Sequence, residues 1–152
     1  MLGRAVDKCP SELWADSSYE NQFWHIAYHA LFYAHFYLQE SSEAFTPWKL
    51  HRKDYNFLGP TPWPPHAPPQ IGDPYTRAQV QEYLDFCRIE VRRQVPILDL
   101  DAASGFDWLP FDKLELQFYN IRHVQHHAAQ LIDRLRNTAK IGIDWVGSKR
   151  QG

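Results

Sequence analysis

Asn120-Ile121-Arg122-His123-Val124-Gln125-His126-His127-Ala128-Ala129-Gln130-Leu131 sets imidazoles four residues apart, at His123 and His127, inside a segment that reads as one long helix. In an α-helix, positions i and i+4 share a face, with Cβ atoms ~5–6 Å apart. Two neutral imidazoles held that way bind one transition metal from one side and leave its far side open. A third histidine from a facing helix would complete a three-His site with a free position.

The sequence around this stretch is also helical. Leu2, Ala5, Val6 and Cys9 recur at helical spacing and stop at Pro10, which predicts a short first helix over residues 2–9, continued by a turn near Ser11 to Trp14. Ser17-Ser18-Tyr19-Glu20 has the pattern of a capping box and predicts a second helix over 17–40. Thr76-Arg77-Ala78-Gln79 is another such box, and it opens a helix over 76–95 with Val80, Tyr83, Leu84, Cys87 and Val91 as its apolar positions and Pro96 as its stop. Asp112-Lys113-Leu114-Glu115 starts the last helix, over 113–137. No alternating strand pattern and no internal repeat competes. The expected fold is all-α, an up-down four-helix bundle in a single domain over 1–152.

Between the second and third helices lies a Pro-rich loop over 46–75. Gly59-Pro60-Thr61-Pro62-Trp63-Pro64-Pro65-His66-Ala67-Pro68-Pro69 excludes a helix, because proline lacks an N–H and restricts the residue before it. Trp48, Tyr55, Phe57 and Trp63 suggest that this loop packs on the body of the protein. It is read as a crossover between bundle helices rather than as a lid.

Composition narrows the function. The 152 residues are 44% hydrophobic and 15% aromatic, enough for one core. The net charge is −2 and the sixteen Lys and Arg are scattered, so a nucleic-acid partner is not expected. Cys9 and Cys87 match no metal or redox spacing and read as reduced, partly buried thiols. The N-terminus lacks the apolar core of a signal peptide. The most apolar stretch, Phe23 to Leu38, is interrupted by His25, His29 and His35 and is shorter than the ~18–20 residues of a membrane span. A soluble cytoplasmic protein is expected.

Periodicity sorts the histidines of the last helix. Advancing ~100° per residue, Ile121, Val124, Ala128, Leu131, Ile132 and Leu135 form one arc facing the core. His127 lies about 80° from its centre and His123 about 120°, whereas His126 points to solvent. Gln130 lies on the polar side, within reach of a ligand's second nitrogen, although solvation is the plainer reading. The second helix is apolar nearly all round and discriminates poorly. His25 and His29 share a face there, and His25 is kept as a further candidate beside the plainer reading of a satisfied core residue, which also serves for His35. No Glu follows His123, so the zinc-protease HExxH pattern is absent. No general base stands out: capping accounts for Glu20, a surface ion pair for Asp133 and Arg134, and core packing for Tyr28 and Tyr33.

Taken together, Asn-x-x-His-x-x-His-His-x-x-Gln-Leu in the last helix, Phe23-Trp24-His25-Ile26-Ala27-Tyr28-His29-Ala30-Leu31-Phe32 in the second and the Cys9-Pro10-Ser11-Glu12-Leu13-Trp14 turn resemble the DinB-like (DNA-damage-inducible) four-helix-bundle family. The resemblance spans almost the whole chain. It implies a divalent metal, zinc, nickel or iron, held by His29, His123 and His127. It also implies activation of a low-molecular-weight thiol, such as bacillithiol or mycothiol, for transfer or isomerisation, and the activity expected is that of a metal-dependent thiol transferase or hydrolase. Two features depart from the family: Ala128-Ala129 stands where Arg-Gly is common, and the first helix is short, as though part of it lay before Met1 or a partner covered the groove. A homodimer is therefore expected. The rival expectation is a non-catalytic bundle in which the metal is structural, sensory or absent.

Overall fold

The structure, a computed structural model, describes residues 1–147. It is all-helical, with α1 at Leu2–Lys8, α2 at Ser11–Trp14, α3 at Phe23–Phe36, α4 at Arg77–Gln94, a 3-10 turn at Val95–Ile97 and α5 at Lys113–Ala139. Among the described residues there is no strand, only one isolated antiparallel bridge between Ala103 and Asp112. No described helix is long and apolar enough to cross a membrane. Contacts run from α1 to α5, from α5 to α3, from α3 to α4 and from α4 back to α1, closing a ring around the main core, and Tyr37, Phe106 and Leu116 form a second, smaller cluster. Leu2, Ala5, Val6 and Cys9 are buried in the main core, so α1 packs its apolar face within the chain.

Helix boundaries follow local hydrogen bonding. At α4, Thr76 Oγ1 accepts from the Gln79 N–H while the Gln79 side chain accepts from the Thr76 N–H, the expected capping box. At α5, Asp112 accepts from the Glu115 N–H at 2.8 Å. The expected second helix is shorter than 17–40 at both ends. Asp16 accepts from the Ser18 N–H at 2.9 Å, an Asx turn that competes with helix initiation, and α3 starts only at Phe23. At the other end, the Leu38 and Gln39 amides bond three residues back instead of four. The carbonyls thus freed are taken by α5: Asn120 Nδ2 donates to Ala34 O at 3.2 Å, Gln117 Nε2 to Tyr37 O at 3.0 Å, and Lys113 Nζ to Gln39 O and Glu40 O at 3.0 and 2.9 Å. The connection between α3 and α4 is accordingly longer than the expected 46–75.

These donors rotate α5 relative to its apolar wheel. Lys113, Asn120 and His127 are buried with Leu116, Ala128, Leu131 and Leu135, whereas Ile121, expected in the core, is 65% exposed. Polar side chains face α3 because the end of α3 offers them carbonyls.

The crossover is held by aromatic packing. Trp48 stacks on Tyr83 at 4.5 Å between ring centroids, and Tyr75 lies 4.7 Å from Tyr28. Trp14 Nε1 donates to Tyr75 O at 2.8 Å. Trp48 and Tyr55 are buried as expected of a packed loop, and Phe57 is half-buried. Trp63 differs: it is 56% exposed, edge-on to Phe57 at 5.6 Å. Cys9 and Cys87 are unpaired and fully rather than partly buried, and burial pushes the Cys9 thiol up to about 12 and the Cys87 thiol up as well.

Candidate metal centre

Three imidazoles from two helices converge at one point. α3 supplies His29 and α5 supplies His123 and His127, one turn apart. His123 Nε2 lies 3.0 Å from His29 Nε2 and 3.1 Å from His127 Nε2. Three nitrogens at ~2.0–2.1 Å from one tetrahedral zinc would stand about 3.3 Å apart, so the observed spacing is close to that of a shared ion.

The tautomers follow from the atoms around the rings. His29 Nδ1 is 2.7 Å from the backbone carbonyl of Asn56, which can only accept. His29 therefore carries its hydrogen on Nδ1 and turns the Nε2 lone pair toward the cluster. His127 Nδ1 lies 2.8 Å from Gln130 Oε1, which gives that ring the same sense. His123 Nδ1 is buried without a partner, and so is Asn120 Oδ1, one helical turn earlier. His29 Nε2 and His127 Nε2 both turn lone pairs toward His123 Nε2, so a hydrogen on His123 Nε2, in the one ring with no acceptor at Nδ1, would satisfy one of them. For His123 Nε2 to hold a divalent cation as a neutral imidazole, its hydrogen would sit on Nδ1 instead. The donor set fits such an ion.

Electrostatics favour ligation. Burial, then the neighbouring His127, lowers His29 to about 3, with the Asn56 carbonyl opposing. Burial and His127 lower His123 to about 4. His127 is lowered by burial against the Gln130 hydrogen bond. All three rings are neutral near pH 7, the form that binds metal.

Other candidates lie elsewhere. His126 is exposed, as its wheel position indicated. Gln130 is exposed yet bonded to His127, so solvation alone does not describe it. His25 is buried outside the cluster, its Nε2 3.0 Å from Tyr55 O and its ring stacked on Trp24. It grips the crossover one residue before the carbonyl that orients His29. His35 is buried with Nδ1 3.3 Å from the Tyr83 hydroxyl. Tyr28 is core, hydrogen-bonded to His51, whereas Tyr33 lines a cleft edge-on to both His29 and His123, at 4.9 and 5.3 Å. The expected Asp133–Arg134 pair does not form: Asp133 accepts from Asn137, and Arg134 donates to Asn21 O and lies over the Tyr19 ring. Ser17–Glu20, lying in turns, caps no helix.

The sequence reading missed Asn56, since a backbone carbonyl has no side-chain signature. It also missed the cleft of about 640 Å³ beside the histidines, with Phe57, Trp63, Trp108 and Tyr119 in its walls. The aromatic density of the loops signalled packing but not its location.

No family model, curated protein or solved structure matches the chain. The resemblance to the DinB-like family rests on the motifs themselves.

Proposed function

We propose that this chain is a divalent-metal-binding protein of the DinB-like type, an up-down four-helix bundle in which His29, His123 and His127 hold one zinc, nickel or iron ion. The observation that carries this reading is the convergence of the three Nε2 atoms with the His29 tautomer set by the Asn56 carbonyl. The closed ring of helix contacts supports the bundle. When bound, such an ion acts as a Lewis acid that lowers the pKa of a coordinated water or thiol. The chain's own residues then do three things. Asn56 and Gln130 hold two rings in the ligating tautomer, burial keeps the imidazoles neutral, and Tyr33 packs edge-on against His29 and His123. A metal-dependent transferase or hydrolase acting on a thiol is the activity proposed from the resemblance.

A second reading has its own support. Among the described residues, no Asp, Glu, Lys or Arg lines the adjoining cleft to serve as acid or base. A metal that only ties α3 to α5 needs none. Cobalt substitution separates the two. Azide added to the cobalt protein changes the visible spectrum if a coordination position is open. An unchanged spectrum would leave the tie between helices as the function.

A further inference from the structure

The cleft beside His29 and His123 restricts what can enter it. Its volume, about 640 Å³, is in the range of small-molecule sites. Tyr33 and Tyr119 project from α3 and α5, Phe57 and Trp63 from the crossover, and Trp108 from the segment before α5. His29 and His123 line it, whereas His127 is buried and does not. The side of the cluster open to a small molecule is therefore this one.

Two properties of the walls decide the ligand class. No lining side chain among the described residues carries a formal charge, so a charged group held away from the metal, against the aromatic walls, would lose hydration without gaining a side-chain partner. Trp63 and Trp108 are 56% and 57% exposed at its edge, each already set against another ring: Trp63 edge-on to Phe57 and Trp108 parallel to Phe36 at 6.3 Å. Exposed indoles in a metal-facing cleft gain by covering a flat apolar ligand. Resting on the metal reading above, we infer that the site takes a neutral aromatic molecule that meets the metal through one sulfur or nitrogen donor. A thiol that carries a carboxylate at the end remote from its sulfur is disfavoured, because no wall side chain pairs with that charge.

Three thiols test this on the cobalt-loaded protein, read by the sulfur-to-cobalt charge-transfer band: benzyl mercaptan, 4-(mercaptomethyl)benzoate and 2-mercaptoethanol. Benzyl mercaptan is expected to bind at least tenfold tighter than either of the others. Trp63→Ala and Trp108→Ala should shrink its advantage over 2-mercaptoethanol while leaving cobalt content unchanged. Equal binding of the benzoate would overturn the inference, as would a variant series with no effect, even with azide still reporting an open metal. If cobalt does not load, saturation-transfer NMR of benzyl alcohol against benzoate on the metal-free protein reads the same preference. Loss of the metal and loss of the aromatic site are then distinct results.

Discussion

At the scale of single residues, the centre is organised by carbonyl oxygens as much as by imidazoles. His25 and His29, one turn apart on α3, grip the consecutive carbonyls of Tyr55 and Asn56, and the second grip fixes which His29 nitrogen is free to ligate. Gln130 does the same for His127 from an exposed position. Removing its acceptor with Gln130→Ala should weaken zinc binding about 10–100-fold, the usual cost of losing a partner that orients a ligand. The melting temperature of the metal-free protein should barely move, because the residue is exposed. Competition with a chromophoric chelator measures the first and a thermal melt the second; unchanged affinity would show that Gln130 orients nothing. The pair His123 and His127 was legible from helical spacing, and His29 entered through the resemblance. Asn56 was not legible, because its contribution is main chain and any residue there has the same carbonyl.

At the scale of elements, α5 packs through its apolar face and fixes the end of α3 through its polar one. Lys113, Gln117 and Asn120 lie on one side of it and bind the carbonyls that end α3. Lys113 is buried and reaches a third carbonyl, that of Ser104, which ties the segment before α5 to the end of α3. Gly105 in that segment has φ +81°, and a Cβ there would collide with the Glu40 carbonyl. Lys113→Met leaves buried carbonyls unpaired and should cost about 3 kcal/mol, on the basis of ~1.5–3 kcal/mol for a hydrogen bond to a charged group. Gly105→Ala should also destabilise. Urea unfolding checks both, and a midpoint equal to wild type in either case would refute the assigned role. The existence of the main helices was readable from caps and periodicity, and Thr76 and Asp112 start theirs as the pattern indicates. The ends of α3 were not, since an Asx turn at one end and side chains from residue 113 onward at the other decide them. Ile121 was misassigned for the same reason: apolar periodicity alone cannot show that carbonyls await the polar face.

At the scale of the whole molecule, burial of histidines makes stability depend on pH. His35, distant from the cluster, is lowered to about 4 by burial, with Glu90 opposing. An unfolded histidine titrates near ~6.5, so between about pH 6.5 and 4 the unfolded state binds a proton that the folded state does not. The contribution is complete above pH 6.5 and is lost as pH falls, amounting to about 2 kcal/mol at pH 5 for one such group. Metal-free protein should therefore unfold at lower urea at pH 5 than at pH 7. In His35→Leu the slope of stability against pH should drop by about one proton; an unaltered slope would exclude His35 as the source. The central claim, that three histidines on α3 and α5 share one ion, is tested most directly by metal content per chain. Protein purified without a histidine tag and dialysed after zinc loading should hold one ion per chain in wild type and in His126→Ala. It should hold less than about a tenth of that in His29→Ala, His123→Ala and His127→Ala. Equal metal content in wild type and these three variants, or a loss in His126→Ala matching theirs, would contradict the account.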